Sequence, residues 1–363
     1  MSLTIKTTKM QEMVSRAIKG ASNNKLIPLT GLMSIQLSKK TLTLITTDAT
    51  NYLYIKESKV EGEDFNVTVP VEIFSKLISK LTCENVTLNI NAEESTLEVV
   101  GNGSYLIELP MDENGQAIVY PDPMNSIKFK SGGEIQATTI QSIINTAKQA
   151  LATTNDVPCY TGYYVSDKVV ATDTEKICIM QINVFEEPKL ISPEQMNLLS
   201  IMQSEKIGVM MKDNIMIYNS PDCVVYGPVL EGIEEYAIDK IGEFAELDFP
   251  SQCKLPKDAL LQVLDRLALF VDEYDKNGIY LTFTKDGLQI SSKKSSGIEI
   301  IKYLDSKDFK DFTCCIDIEM LQSQTKALIG DAIELYYGDS NAIKVVEGNV
   351  IQVTALLEDD RAE

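Results

Sequence analysis

Apolar side chains recur at helical spacing in three stretches that lie roughly a third of the chain apart. In the first stretch the apolar positions are Met10, Met13, Val14, Ala17 and Ile18. The other two stretches have the same pattern, at Ile140, Ile143, Ile144, Ala147 and Leu151 and at Leu260, Val263, Leu264, Leu267 and Val271. Residues with this spacing share one helix face. The pattern predicts an amphipathic helix at the same point of an internal repeat, with Thr8 and Gln11 as a capping box on the first.

Alternating apolar and polar residues follow each helix and predict strands with one buried face. A glycine opens them in every copy, at Gly31, Gly162 and Gly278. Two copies end the first strand pair alike, with Thr46-Thr47-Asp48 and Ala171-Thr172-Asp173. The third copy has Ser291-Ser292-Lys293 at the position that we align with them.

A second helix is predicted in each copy, over Val71 to Leu81, Pro193 to Lys206 and Ile318 to Ile329. Further strands close the copy, so each is an α+β layer of two helices packed on antiparallel sheet. We predict three such domains, over residues 1–124, 125–248 and 249–363. Linkers are predicted at Tyr120-Pro121-Asp122-Pro123 and in the acidic stretch Glu231 to Phe249.

The composition disfavours most enzyme chemistry. The chain of 363 residues has no His, which removes Ser-His-Asp and Cys-His catalysis and the usual general base near pH 7. The seven Cys include no CxxC pair, and we interpret them as small apolar residues. Acidic pairs such as Glu234-Glu235 lie in a predicted linker, where charge is ordinarily just solvated. We predict a protein that is not an enzyme and binds no metal or cofactor.

The chain has no apolar run of about 18 residues that could cross a membrane. Its first residues, Met1 to Lys9, include no apolar segment typical of a secretion signal. We therefore expect a cytoplasmic protein without membrane contact.

Charge is unevenly distributed along the chain. The net charge is −20, which argues against a simple basic nucleic-acid binder. The six predicted helices nevertheless have ten basic residues against seven acidic ones. Either this is an ordinary solvated face, or the helices avoid negative charge because a polyanion passes near them. Two arginines are too few to read bases, so loose and sequence-blind proximity to a duplex fits best.

Several short motifs resemble, in the right order and over essentially the full length, the bacterial DNA polymerase III β subunit, or sliding clamp. They are Ile27-Pro28-Leu29-Thr30-Gly31, Leu42 to Asp48, Val67-Thr68-Val69-Pro70, and Val169 to Ile177 with its Ala-Thr-Asp core. The resemblance implies a DNA polymerase processivity factor, in which each chain forms half of a head-to-tail homodimeric ring. Such a ring encircles double-stranded DNA, slides on it and tethers partners. The divergence suggests a clamp encoded by a phage or mobile element.

The implied partners are a second copy of the chain, double-stranded DNA, the DNA polymerase catalytic subunit, a clamp loader and other clamp-binding peptides. Residues expected to face DNA are basic helix residues and, by resemblance, one loop and one helix end. They are Lys9, Arg16, Lys19, Asn24, Lys25, Lys76, Lys80, Lys148, Gln149, Lys206, Arg266 and Lys326.

The resemblance also places a dimer interface between the first and third domains. Its expected residues are Tyr105, Leu106, Ile107 and Leu109 on one side and Leu269, Phe270 and Val271 on the other. A partner-peptide cleft is implied between the second and third domains. Its expected residues are Thr161, Thr172, Thr174, Glu175, Lys176, Ile177, Gly242, Leu247, Val353, Thr354, Ala355, Leu356 and Leu357.

This cleft departs from the family pattern. Thr174 replaces the usual Gly, Glu175 the usual His and Gly242 a usual Pro. An acidic tail, Glu358 to Glu363, follows the last strand. The cleft is therefore expected, but not its usual peptide preference. The alternative for the whole chain is an acidic DNA mimic or interaction scaffold, which would present rows of carboxylates on an exposed face.

Overall fold

The computed structural model describes residues 1–126, 132–294, 296–338 and 341–358. Within these ranges the chain repeats one order of elements three times: strand, helix, four strands, helix, three strands. The first copy consists of β1 Ser2–Lys6, α1 Thr7–Ala17, β2 Leu32–Ser38, β3 Thr41–Thr47, β4 Tyr52–Ser58, β5 Phe65–Pro70, α2 Val71–Lys80, β6 Asn85–Asn91, β7 Thr96–Val100 and β8 Ser104–Glu108.

The second copy has the same elements in the same order. They are β9 Gly133–Gln136, α3 Ala137–Ala147, β10 Tyr163–Val165, β11 Val169–Thr172, β12 Lys176–Met180, β13 Lys189–Ile191, α4 Pro193–Leu199, β14 Lys206–Lys212, β15 Ile215–Asn219 and β16 Cys223–Pro228.

An additional helix, α5 Ile238–Ala245, precedes the third copy, which has one extra short strand. The elements of this copy are β17 Ser251–Pro256, α6 Lys257–Leu267, β18 Gly278–Thr284, β19 Gly287–Ser292, β20 Ile298–Ile301, β21 Asp305–Lys307, β22 Phe312–Asp317, α7 Ile318–Ala327, β23 Ala332–Tyr337, β24 Ala342–Glu347 and β25 Val350–Ala355. The predicted α+β repeat is thus confirmed, while the predicted domain limits stay a prediction.

The chain divides into two compact units, and each contains one long antiparallel sheet. In the unit formed by Met1–Gln141 and Glu194–Val229 the order is β5-β2-β3-β4-β16-β15-β14-β9. In the unit formed by Ser142–Pro193 and Leu230–Glu363 it is β13-β10-β11-β12-β25-β24-β23-β17-β21. Each unit also has a four-stranded sheet, β1-β6-β7-β8 in the first and β20-β19-β18-β22 in the second.

Each long sheet forms where the fourth strand of one copy pairs with the last strand of the next. These two joints are β4 with β16 and β12 with β25. Tyr52 lies opposite Tyr226 in the first joint, and Ile177 lies opposite Val353 in the second. The joints therefore have the same construction in both units.

The predicted amphipathic helices bury the expected side chains. Met10, Met13, Val14 and Ala17 of α1 are buried, as are the corresponding residues of α6. All seven cysteines are free thiols and six are buried, and burial raises the pKa of Cys178 to about 12. None of the helices in the described ranges is long and apolar enough to span a membrane.

Four sequence predictions about element limits are wrong. A strand, β1, β9 or β17, precedes the first helix of every copy. The helix α4 ends at Leu199, because Ile207 and Val209 are buried in a strand that already begins at Lys206. The acidic linker contains α5, whose Ile241 and Ala245 are buried. Gln11 forms no capping box, since Lys6 occupies the N-cap of α1 without a side-chain hydrogen bond.

Candidate functional site

Four of the predicted cleft residues lie in or beside the tight turn between β11 and β12. The Thr172 hydroxyl donates to the Lys176 carbonyl at 2.7 Å and accepts from the Thr174 amide at 3.1 Å. One carboxylate oxygen of Asp173 accepts from the amides of Glu175 and Lys176, at 3.0 and 2.7 Å. These bonds hold Thr174 in the left-handed region, at φ +82°. The Thr-Asp motif therefore shapes the turn, and Thr172 is buried within it.

The first copy builds the same turn between β3 and β4. The Thr47 hydroxyl donates to the Asn51 carbonyl at 2.6 Å and accepts from the Ala49 amide at 3.1 Å. Asp48 accepts from the amides of Thr50 and Asn51. Ala49, at φ +85°, takes the place of Thr174. The internal repeat thus extends to individual hydrogen bonds.

The third copy has a longer connection at this point, and its register differs by one residue from our sequence alignment. The Ser292 hydroxyl accepts from the amides of Ser296 and Gly297, as the aspartates do in the other copies. Ser291 pairs with Ile298 as Thr172 pairs with Ile177. Ser292, not Lys293, is therefore the counterpart of the aspartate, and the alignment of Ser291-Ser292-Lys293 is corrected by one position.

The joint of β12 and β25 brings most predicted cleft residues together. Lys176 lies opposite Thr354, and Ile177 lies opposite Val353. Ile177 and Val353 are buried in one apolar cluster with Ile241 of α5, against which Leu247 also packs. Ile177 and Val353 are thus core residues at the base of the site.

On the other face of the joint the side chains are polar and internally bonded. The Lys176 ammonium donates to the Gln149 carbonyl at 2.8 Å and lies 3.1 Å from the Asp173 carboxylate. The Thr354 hydroxyl, itself buried, is bonded to Gln324 of α7. Lys176 and Thr354 therefore have structural partners and do not project from the site.

The surface of the site is formed by residues around α5 and after β25. Thr161, Thr174, Glu175, Gly242, Leu247, Ala355, Leu356 and Leu357 are exposed or half-buried. Sequence reasoning missed Phe244 of α5, whose side chain is 52% exposed beside them. The apolar spacing of Ile238, Ile241 and Ala245 within the acidic stretch could have predicted this helix.

Most of the cations predicted to face DNA are paired with acids. The pairs are Lys9 with Glu12 and Glu57, Lys76 with Glu72, Lys206 with Glu134, Arg266 with Glu299 and Lys326 with Asp265. Arg16 is buried, and its guanidinium lies 2.6 Å from the Asp222 carboxylate. Arg16 therefore does not reach the surface, contrary to the prediction that it faces DNA.

Four of the predicted cations are exposed and form no ion pair with any described residue. They are Lys19, Lys25, Lys80 and Lys148. Asn24 is also exposed, and its side chain accepts from the Leu26 amide. Gln149 is half-buried and donates weakly to the Thr146 carbonyl. Lys206 and Glu205 lie outside α4, and Lys19 and Lys148 lie in the 3-10 turns that follow α1 and α3. The six predicted helices, within their observed bounds, therefore have seven basic residues against six acidic ones.

The residues predicted for the dimer interface lie on and just after one edge strand and in one turn. β8 is an edge strand, on which Tyr105 and Leu106 are exposed and Ile107 is buried. Leu109, just after it, is buried. Leu269 and Phe270 are exposed in a 3-10 turn after α6, and Val271 is half-buried.

Comparisons with known proteins were made for sequence and fold. Residues 1–114 match the family described as DNA polymerase III beta subunit, N-terminal domain. A search of curated protein sequences finds no match. The fold is similar to the β chain of DNA polymerase III from Streptococcus pneumoniae, with 15% identity, TM-score 0.86 and coverage of 99% of this chain and 100% of that one.

Two further structures give the same result. The β subunit from Streptococcus pyogenes has 14% identity and a TM-score of 0.88 over 99% of this chain and 100% of that one. The sliding clamp from Bacillus subtilis has 16% identity and a TM-score of 0.85 over 99% of both chains. The resemblance predicted from the sequence is confirmed: residues 1–114 match the N-terminal domain of the DNA polymerase III β subunit family, and the chain over its whole length has the fold of the bacterial sliding clamps.

Proposed function

We propose that this chain is a sliding clamp, a non-catalytic accessory subunit that makes a DNA polymerase processive. Two copies close into a ring around duplex DNA and slide without reading its sequence. The DNA polymerase catalytic subunit, a clamp loader and other proteins bind through short peptides at the joint of β12 and β25. A tethered polymerase stays at high effective concentration near the primer end. The family match of residues 1–114 and the clamp fold of the whole chain support this function.

The observation that carries the proposal is that the chain forms two joints between its copies and leaves the strands for a third joint at sheet edges. Each joint pairs the fourth strand of one copy with the last strand of the next, as β4 with β16 and β12 with β25. The fourth strand of the third copy, β20, and the last strand of the first copy, β8, each have a neighbour on one side only among the described strands. A head-to-tail contact between two chains would pair β20 of one with β8 of the other, twice, and a contact that repeats in this way closes into a ring.

Exposed apolar side chains support this pairing. Ile298 and Ile300 occupy the positions that Ile177 and Ile179 hold at the second joint, yet they are 55% and 58% exposed. Leu106 on β8 is 69% exposed. Apolar edge strands are ordinarily covered or charged in a soluble protein, because they invite pairing with another chain. We infer that Leu106 faces the two isoleucines across the dimer joint.

The 3-10 turn that follows the first helix supports the same contact. In the second copy this turn, Lys148–Ala150, contacts α7, the second helix of the next copy. In the third copy the turn carries Leu269, which is 80% exposed, and Phe270. The counterpart of α7 on the opposing chain would be α2. Its surface has an open groove of about 470 Å³ lined by Pro70, Ile73 and Leu77.

The protein would then be retained on DNA because the ring encloses the duplex, and not because it binds the phosphates tightly. The four unpaired lysines, Lys19, Lys25, Lys80 and Lys148, supply weak phosphate attraction, which salt screens over about 10 Å. Arg266 is engaged by Glu299. Few free cations suit a protein that must slide, because tight binding needs many phosphate contacts.

A threading experiment tests encirclement without a clamp loader. Linear DNA is fixed to a bead at one end, the protein is added, and the free end is then blocked by a bound protein. A ring stays on this DNA in 1 M salt and leaves when a restriction enzyme cuts between bead and block. Loss of the protein in high salt with both ends blocked would contradict encirclement. An acidic DNA mimic would never be retained, so the same experiment tests that alternative.

A further inference from the structure

We propose that the segment docking at this cleft has an apolar core with basic flanks. This rests on the proposed function and specifies the partner at the same site. The apolar residues available to a partner are Phe244 of α5, which is 52% exposed, half-buried Leu247, and half-buried Leu356, which directly follows β25, a strand that α5 contacts. Gly242 leaves the surface open, since a Cβ built on it meets no atom within 4 Å. An exposed phenylalanine beside half-buried leucines is a surface that a partner's apolar side chains can cover.

The rim of this surface is acidic. Seven exposed carboxylates belong to the segment that carries α5, and a single lysine, Lys240, accompanies them. The acids are Glu231, Glu234, Glu235, Asp239, Glu243, Glu246 and Asp248. None of them forms an ion pair with a residue in the described ranges. Glu175, in the turn between β11 and β12, is also exposed.

Two lysines on β12 and β24, Lys176 and Lys344, are already engaged. Lys176 is held by the Asp173 carboxylate and the Gln149 carbonyl. Lys344 donates to the carbonyls of Ala245 and Leu247, at 3.3 Å each, and lies over the Phe249 ring. Burial lowers the pKa of Lys344, partly offset by Asp248. An acidic peptide would therefore meet repulsion from the rim, and in the segment from Glu231 to Phe249 it would find a single lysine, Lys240, to pair with.

Charge complementarity also predicts the size of the preference for a basic partner and its dependence on salt. Each exposed ion pair contributes little by itself, but several around one apolar core together give about a tenfold preference. Exposed charges are screened at high salt, so the preference must fall as salt rises. The partner's charge should govern specificity and association rate, while the apolar core supplies most of the affinity.

The test uses two synthetic fluorescein-labelled peptides with one Leu-Leu-Phe core. One peptide has two lysines on each side of the core and the other has two glutamates. We expect the lysine peptide to bind the full-length protein about tenfold more tightly by fluorescence anisotropy at 50 mM salt, with the difference falling to about threefold or less at 0.5 M. Equal affinities, tighter binding of the glutamate peptide or no binding of either would overturn the proposal.

Variants place the binding on the cleft. Glu243→Lys with Glu246→Lys should abolish the preference for the lysine peptide. The matched control, Glu93→Lys with Glu94→Lys, makes the same charge change in an exposed turn between β6 and β7 and should leave the preference intact. If both double variants lose the preference for the lysine peptide equally, the peptide is attracted to the acidic protein in general, and the proposed site is refuted. Phe244→Ala should weaken the lysine peptide at least about threefold at either salt concentration.

The threading experiment separates this proposal from the proposed function. Retention by blocked DNA depends on the ring and needs no peptide. A protein that stays on blocked DNA but shows no preference for the lysine peptide would refute the basic partner alone. A protein that binds the lysine peptide as expected but is lost from blocked DNA would refute encirclement alone.

Discussion

At the scale of single residues, the Asp-capped turn shows how one motif determines backbone shape. The amides of Glu175 and Lys176 both donate to the Asp173 carboxylate, and this geometry gives Thr174, between Asp173 and Glu175, a positive φ. Glycine adopts that conformation without penalty, whereas a β-branched side chain is strained there. Thr174 therefore costs stability at the surface of the site, and the first copy limits that cost with Ala49.

Replacing Thr174 with Gly should stabilise the protein. Relief of left-handed strain outweighs the extra freedom that glycine gives the unfolded chain, so we expect about 0.5–1 kcal/mol, measured as a higher midpoint of urea unfolding. Glu175→Gly is the matched control. The φ of Glu175 is not positive, so glycine relieves no strain there and should destabilise the protein by adding freedom to the unfolded chain. A lower midpoint for Thr174→Gly would contradict strain at this residue.

Arg16 shows what a residue pattern cannot predict. Its position on an amphipathic helix and its charge predicted contact with DNA. The structure buries it against Asp222, which lies more than two hundred residues later in the chain. A pairing over that separation leaves no local pattern, whereas the Thr-Asp turns were visible because all their hydrogen bonds lie within five residues.

The ion pair predicts a pH dependence. Burial of Asp222 raises its pKa, but the hydrogen bonds from Arg16 and Ser220 outweigh this, so the pKa is below its ordinary value. A lowered folded-state pKa means that the carboxylate stabilises the fold at neutral pH and that this stability is lost as pH falls through the lowered value. Asp222→Asn should therefore cost about 2 kcal/mol at pH 7 and distinctly less at pH 3.

Unfolding midpoints of both proteins at each pH give that difference. Comparing the pair removes the contribution of other carboxylates, which titrate equally in both. A difference that is unchanged from pH 7 to pH 3 would show that the Asp222 charge is not responsible for the stability.

At the scale of elements, helices α1 and α2 are joined by a side chain that sequence analysis assigned to another role. The Gln11 amide donates to the carbonyls of Ile78 and Leu81 at the end of α2, at 3.0 and 2.9 Å. Carbonyls in the last turn of a helix have no partner within the helix. Gln11 of α1 therefore caps the C-terminal end of α2.

Gln11→Met keeps the length of the side chain but removes both hydrogen bonds. We expect a loss of about 1 kcal/mol in the free energy of unfolding, because the two carbonyls are partly buried. Ser15→Ala on the same helix is the control and should change stability by less than about 0.5 kcal/mol, since its hydroxyl bonds only to the exposed Glu12 carbonyl. Equal effects of the two substitutions would contradict the capping role.

The elements also show where periodicity succeeds. The first helices of the copies were predictable because five apolar residues in each copy recur at helical spacing. The five-residue strand β1 was missed since only Leu3 and Ile5 are buried along it. The helix α5 was missed because seven acids surround its few apolar residues. Short elements and elements in charged segments thus depend on tertiary contacts that the pattern does not contain.

At the scale of the whole molecule, the sequence predicted three copies and their order but not the joints. The copies are visible because each repeats motifs within itself. The joints pair strands from different copies, such as Tyr54 with Val224, and no residue pattern specifies that partner. The same limit applies to the cleft, whose members were known only by resemblance until the pairing of β12 with β25 placed them side by side.

The unpaired edges give a prediction for the assembly. Leu106→Glu puts a charge on the exposed apolar face of β8, opposite the proposed position of Ile298 and Ile300. Burial of a leucine contributes about 2 kcal/mol, and the ring has two such joints, so the dissociation constant of the dimer should rise roughly a thousandfold. Mass photometry at nanomolar concentration should then show monomers near 40.3 kDa where the unmodified protein gives twice that mass.

Val119→Glu is the matched control for the assembly. Val119 is at least as exposed as the residues of the edge but belongs to neither unpaired strand, since it lies in the segment after β8. This variant should remain dimeric and stay on DNA blocked at both ends, whereas Leu106→Glu should be lost from it. If Leu106→Glu stays dimeric, the two chains meet elsewhere. If both variants dissociate, added negative charge alone separates the chains, and the pairing of β8 with β20 is refuted as the cause.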